Sequence, residues 1–283
     1  LNLILPLVTI PYLVATVGSA HYGIYSIVYS IVQYALLVSN YGFSYTSTKQ
    51  IAQNRDNIET VSWIFSSTIL AKIILSAISI VVCAGIVQLF FPKYMLVYLC
   101  GLGIILGDVI NPVWLFQGME NMKYLTISNG VAKIIFTLLI FVFVRNSDDY
   151  VYIIFLNSIG FLTGGIVSIV IARFVFHIKF TLVGLKDAWK QIREGQVVFF
   201  STVFTNLFNN SFVVILGLFV SEYSVGIYAA VDKIIKAAKI LVDPISNALF
   251  PHVSRIFKEN GNMENVSRLF HYGKVIGCLL LSI

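Results

Sequence analysis

The sequence has few charged residues. Asp, Glu, Lys and Arg make up 11% of its 283 residues, while 58% are hydrophobic and the mean hydropathy is +0.88. Ordinary soluble domains are ~25% charged. The composition therefore excludes a soluble enzyme or binding domain and predicts an integral membrane protein.

Residues that carry catalysis or bind metals are also scarce. Cys83, Cys100 and Cys278 fall inside apolar segments without metal-binding spacing, which favours buried free thiols. No nucleophile–base pair, pair of acid–base carboxylates or phosphate-binding glycine loop stands out. We therefore predict no metal, no cofactor and no enzymatic activity, and no nucleic acid partner.

Long apolar runs fill most of the chain. A run of about 20 such residues is long enough for a helix to cross a bilayer. We expect an all-α polytopic helical bundle with nine spans, the first and last being partial: 1–17, 22–44, 61–91, 95–117, 124–144, 150–175, 196–220, 223–250 and 270–283. Because the chain begins and stops inside apolar runs, we expect it to be a piece of a longer protein.

Basic residues are divided unevenly between alternate connections. One set holds eleven Lys and Arg residues, whereas the opposite set holds only Lys93 and Arg145. Cytoplasmic loops carry the excess of positive charge. This places the larger set, and the start of the chain, in the cytoplasm.

Five charged residues lie in the predicted span 223–250. Asp232, Lys236, Lys239 and Asp243 recur at helical spacing and form one stripe, and Lys233 lies beside it. Charged residues within membranes normally face a bundle interior or a watery cavity. We expect the three lysines to bind an anion, and the two aspartates to compensate their charge or accept protons.

Other polar residues within spans could line the same pathway. Each has an alternative interpretation, because it could instead pack or hold helices together. These further candidates are Lys72, Lys133, Tyr29, Gln33, Asn206 and Asn210.

An internal repeat relates two parts of the chain. Aligning 17–32 with 220–235 gives six identities in sixteen positions, including Gly23-Ile24-Tyr25 with Gly226-Ile227-Tyr228. Tyr29 then corresponds to Asp232. An even number of helices separates the copies, which predicts two lobes of the same orientation related by a pseudo-two-fold axis.

Several motifs carry a family resemblance. The chain resembles the Wzx-type O-antigen and exopolysaccharide flippases, within the superfamily that includes the MATE multidrug exporters. The matching segments are Leu5-Pro6, Pro11-Tyr12-Leu13, Tyr22-Gly23, Tyr41-Gly42-Phe43, Ile51-Ala52, Arg55 and Asn111-Pro112-Val113-Trp114-Leu115-Phe116-Gln117-Gly118-Met119-Glu120. The sequence departs from the family at Val14, Ala15 and Thr16, where a basic residue is typical.

The resemblance implies twelve helices in two six-helix lobes. Residues 1–175 would form the first lobe, 176–195 a cytoplasmic linker and 196–283 part of the second lobe. The implied activity is flipping of polyprenyl-pyrophosphate-linked oligosaccharide to the outer leaflet of the bacterial inner membrane. Its partners would be that substrate, membrane lipids and other polysaccharide assembly proteins.

Two rival functions remain open. A cation or drug antiporter of the same superfamily would need unpaired carboxylates, yet the predicted spans hold three more lysines than aspartates. A membrane glycan polymerase or glycosyltransferase would be expected to carry a sizeable extramembrane loop. We therefore expect alternating access through a cationic central cavity.

Overall fold

Helices make up almost all of the described chain. A computed structural model describes the backbone of residues 4–237, and their side chains except those of residues 4, 6, 7 and 207–210. Within this part there is no β-strand. The helices are α1 (Ile4–Asn40), α2 (Phe43–Gln53), α3 (Ile58–Phe90), α4 (Met95–Val109), α5 (Val113–Gly118), α6 (Met122–Phe143), α7 (Tyr150–Phe174) and α8 (Leu185–Phe219). A further helix, α9, begins at residue 222 and is described as far as residue 237.

Five described segments are long and apolar enough to cross a membrane. The count becomes six if the bent pair Leu185–Asn206 and Ser211–Phe219 forms one span. Helix α3 exposes large apolar side chains along its length, including Val81 (72%) and Leu89 (78%), as expected of a surface that faces lipid. The chain is thus an all-α polytopic membrane protein, and the full set of nine spans remains a prediction.

Local sequence explains where the helices begin and end. The side chain of Asn57 caps α3 by accepting a hydrogen bond from the Thr60 amide at 3.0 Å, and α3 ends just before Pro92. Gly18 interrupts α1 with a φ of 81°, a conformation that glycine adopts without steric cost. Gly42, with a φ of 88°, separates α1 from α2.

The predicted spans match the helices closely in places and differ in others. The predicted span 150–175 corresponds to Tyr150–Phe174, and 124–144 to Met122–Phe143. The span predicted over 22–44 ends earlier, at Asn40, and α2 follows as a separate helix. The predicted linker 176–195 is helical from Leu185 onward, because α8 begins there.

The described core has two hydrophobic clusters. The chain forms two compact units, Leu1–Val231 and Asp232–Ile283, and the first contains both clusters. One cluster packs α2, α3 and α5 around Trp114 at what we term the basic end, where Lys49, Arg55 and Lys123 also lie. The other cluster packs α1, α4 and α7 together with Val225 and reaches the opposite end, where Phe91 and Val144 lie.

Candidate functional site

A buried ion pair joins α3 to α4. The Lys72 Nζ lies 2.8 Å from Asp108 Oδ2 and also donates to the carbonyl oxygen of Asp108 at 2.7 Å. It donates a third hydrogen bond, of 3.0 Å, to Asn40 Oδ1 at the end of α1. Since an ammonium has three donors, every N–H of Lys72 is satisfied within the protein.

Lys72 is enclosed on all sides. Its side chain is 1% exposed, and the Nζ lies 5.2 Å from the ring centroid of buried Trp114 on α5. A charge buried in this way is tolerated only when it is paired and hydrogen-bonded. The contacts of Lys72 join α3 to α4 and to the end of α1, and its role in substrate binding stays a prediction. In this conformation it does not line an open pathway.

The ion pair also stabilises a break in the fourth span. Helix α4 ends at Val109, and Pro112 immediately precedes α5. Proline lacks an amide hydrogen and restricts the preceding residue, so the helix cannot continue through Asn111. The last carbonyls of a helix lack partners and carry partial negative charge. Lys72 supplies both a donor and a positive charge to the Asp108 carbonyl at this end.

Neutral hydrogen bonds extend the polar contacts around Lys72. They join side chains of α1, α2, α3, α7 and the segment between α4 and α5, all within the first unit. The bonded pairs are Ser76 with Ser39 at 2.8 Å, Ser47 with Thr68 at 3.0 Å, and Ser168 with Asn111 at 2.9 Å. The hydrogen-bonded network therefore braces the basic half of this unit.

At the basic end, two of the motifs that carry the family resemblance contact each other. Arg55, which follows α2, forms a 2.5 Å ion pair with Glu120, which follows α5. This hydrogen bond raises the pKa of Arg55 and lowers the pKa of Glu120. Beneath it, a Cβ added to Gly118 would lie 2.7 Å from Ile51 Cβ. Only glycine lets α2 and α5 pack this closely.

Helix α9 carries the candidate anion-binding charges. Asp232 Oδ2 accepts from Lys236 Nζ at 2.8 Å, an i, i+4 pair as the spacing predicts. The Lys236 side chain is 47% exposed and that of Asp232 is 24% exposed. Lys233 is half-buried. Lys239 and Asp243 lie outside the described residues.

The remaining candidates are spread over three helices. Tyr29 on α1 is half-buried, and its ring is 5.5 Å from that of Tyr25; Gln33, one turn further on, is also half-buried. Lys133 on α6 is half-buried. Asn206 donates to the Thr202 carbonyl at 2.9 Å within α8. The side chain of Asn210 lies outside the described residues.

These side chains show no arrangement typical of a metal centre. In residues 4–237, no group of three or more His, Cys, Asp or Glu side chains is placed to hold a metal ion. The chemistry available from the described candidates is ionic pairing and hydrogen bonding.

Sequence comparisons identify the family. The family described as "Polysaccharide biosynthesis protein" matches residues 1–257, which is most of the chain. The chain belongs to the polysaccharide biosynthesis protein family. No solved structure matches it.

Two curated relatives of this chain carry the same name, "Putative O-antigen transporter". The relative from Escherichia coli (strain K12) is 32% identical over 255 residues, which cover 89% of this chain and 61% of the relative. The relative from Shigella dysenteriae is 29% identical over 265 residues, which cover 90% of this chain and 64% of the relative. The chain thus spans less than two thirds of the length of each.

Sequence reasoning missed the partners of Lys72 in this family member. Neither Asp108 nor Asn40 is among the candidates named from the sequence. Asn40 lies 32 positions from Lys72, and Asp108 lies 36 positions from it, so no local periodicity links them. One signal was available, because Lys72 and Asp108 are rare opposite charges within apolar spans.

Proposed function

We propose that the chain is part of a transporter that flips polyprenyl-pyrophosphate-linked oligosaccharide, as in O-antigen or exopolysaccharide assembly. The movement would run from the cytoplasmic to the periplasmic leaflet of the bacterial inner membrane. The basic end would face the cytoplasm, since cytoplasmic loops carry the excess of Lys and Arg. Membership of the polysaccharide biosynthesis family and the names of both relatives support this proposal.

The partly exposed, Asp232-paired side chain of Lys236 is the observation that carries the proposal. Lysine binds phosphate as a compact point charge, and the attraction strengthens where the dielectric is low. When no substrate is bound, Asp232 Oδ2 lies 2.8 Å from Lys236 Nζ and compensates its positive charge. When a pyrophosphate arrives, Lys236 can exchange the carboxylate for the phosphate oxygens.

The buried ion pair narrows the set of anion-binding residues. Lys72 uses all three of its donors on Asn40 and Asp108, so it offers none to a substrate in this conformation. Lys233 and Lys236 remain as the described candidates on α9, with Lys133 on α6. Tyr29, Gln33 and Asn206 would contribute hydrogen bonds or stacking to sugar rings.

The rival functions have less support. An antiporter for organic cations would need carboxylates without cationic partners, yet Asp108 and Asp232 are both paired with lysine. A glycan polymerase would be expected to have a large extramembrane loop, whereas the connections between α2 and α7 are a few residues each. We therefore propose transport rather than catalysis.

Complementation tests this proposal. The native gene, with Lys236→Ala or Lys233→Ala, is expressed in a strain that lacks its own oligosaccharide flippase and makes the matching glycan. We expect loss of surface polysaccharide for Lys236→Ala at normal membrane abundance. The matched control is Lys186→Ala, which removes an exposed lysine at the basic end of α8. Full export by both α9 variants would remove these lysines from the mechanism.

A further inference from the structure

Helices α1 and α9 touch through a pair of glycines. A Cβ added to Gly23 would overlap the carbonyl oxygen of Glu222 and lie 3.0 Å from the amide nitrogen of Gly226. A Cβ added to Gly226 would overlap the carbonyl oxygen of Ser19 and lie 3.1 Å from the amide nitrogen of Gly23. Each glycine thus packs against the backbone of the other helix, which leaves room for no side chain.

The contact is reciprocal in the numbering of the repeat. Gly23 aligns with Gly226, and Ser19 aligns with Glu222 at the same offset. Gly23 meets the carbonyl of Glu222, and Gly226 meets the carbonyl of Ser19. In each case the carbonyl belongs to the residue four positions before the other glycine. Two copies related by a two-fold axis make such self-complementary contacts. The pseudo-two-fold axis predicted from the repeat accordingly passes between the two glycines.

The backbone before each glycine repeats as well. Gly18 interrupts α1 with a non-helical conformation, and the aligned Ser221 lies in the break between α8 and α9. Both copies therefore restart as a helix at equivalent positions, residues 19 and 222. This agreement in backbone is independent of the six identities, because helix breaks are not specified by Ile24, Tyr25 or their counterparts.

The glycine contact lies at the opposite end of the bundle, where other contacts also hold the start of α9. Tyr94, just before α4, donates to Glu222 Oε1 at 2.6 Å. Val225 is fully buried in the cluster that contains α1. An oligosaccharide cannot pass between backbones that exclude even a methyl group.

We propose that the Gly23–Gly226 contact is the seal that closes the opposite end, and that it must separate when substrate leaves there. This inference rests on the proposed function for its direction of transport. The close packing needs glycine at both positions, because the obstacle to a Cβ is backbone and cannot rotate away. Substitution by alanine should therefore hold the opposite end open.

Thiol labelling tests the seal without any substrate. Val225→Cys serves as a buried reporter after Cys83, Cys100 and Cys278 are replaced by alanine, and a membrane-impermeant maleimide is the probe. We expect slow labelling with both glycines in place and labelling at least about tenfold faster with Gly23→Ala, since local opening exposes buried groups. Gly85→Ala is the matched control, because a Cβ there meets nothing within 4 Å. Equal rates in the Gly23 and Gly85 variants would overturn the seal.

A cross-link gives a second test that keeps both glycines. Tyr94→Cys and Glu222→Cys are joined by a bifunctional methanethiosulfonate whose spacer replaces the two side chains. We expect export to stop on cross-linking and to return on reduction. Export that continues at full rate in the cross-linked protein would overturn the seal. Because the labelling assay uses no glycan, a confirmed seal with failed complementation would reject the proposed substrate and leave the contact standing.

Discussion

Replacing Lys72 by methionine should strongly destabilise the protein. The substitution keeps much of the apolar stem but removes the ammonium, and it leaves the Asp108 carboxylate, 14% exposed, without its cation. It also removes a hydrogen bond to Asn40 and one to the Asp108 carbonyl. Breaking one partner of a buried ion pair costs ~3–5 kcal/mol, because the remaining charge stays buried. We expect a loss of stability in that range.

A double-mutant cycle separates the ion pair from the bulk of the side chains. Asp108→Asn alone should also be destabilising, but Lys72→Met with Asp108→Asn should cost less than the sum of the two, since no unpaired charge remains. Unfolding in mixed micelles can be followed by tryptophan fluorescence, with Trp114 lying 5.2 Å from the Lys72 Nζ.

The control for this cycle is Lys133→Met. Lys133 is half-buried, and within the described chain it forms no ion pair. Its loss should cost far less than that of Lys72. A Lys72→Met variant as stable as Lys133→Met would refute the buried ion pair as a source of stability. So would a double variant whose loss of stability equals the sum of the losses in the two single variants.

Two further predictions concern packing and pH. Gly107→Ala places a Cβ 2.4 Å from the backbone carbon of Phe161, so it should cost ~1–3 kcal/mol of stability by overpacking α4 against α7. Gly85→Ala, in open space, should not lower the unfolding midpoint. The hydrogen bond from Tyr94 lowers the pKa of Glu222 below its ordinary value of 4.5. The ionised carboxylate of Glu222 should stabilise the closed opposite end fully above pH 4.5. This stabilisation should be lost as the pH falls through the lowered pKa. The labelling rate of a Val225→Cys reporter, divided by that of free cysteine at the same pH to cancel the loss of thiolate, should therefore rise in acid, and Glu222→Gln should remove that dependence.

The boundaries of the apolar helices could be predicted from sequence because hydrophobicity decides them. The span predicted over 61–91 is helix Ile58–Phe90, displaced by only the few residues that the Asn57 cap adds at its start. Bilayer thickness and continuous apolar character leave little choice of structure for such a segment. The prediction of an all-α membrane protein, which rests on the same argument, is confirmed.

Features that depend on backbone geometry or distant pairing could not be predicted in the same way. The left-handed Gly42 separates α1 from α2, so α1 ends earlier than the predicted span. The sequence around Lys72 does not indicate whether its side chain faces a cavity or a carboxylate, because its partner Asp108 lies 36 residues away. The Asp232–Lys236 pair was predictable because its spacing is local.

The reciprocal glycine contact has a consequence for how such a chain could arise. In a homodimer of the single repeat, Gly23 would meet its own copy across an exact symmetry axis, and one substitution would disturb the interface twice. After duplication and fusion, each copy can change alone, but a side chain at either position still collides with the partner backbone. Other aligned positions are then free to diverge, as Tyr22 and Val225 have done, while each of the two glycines prevents the other from gaining a side chain.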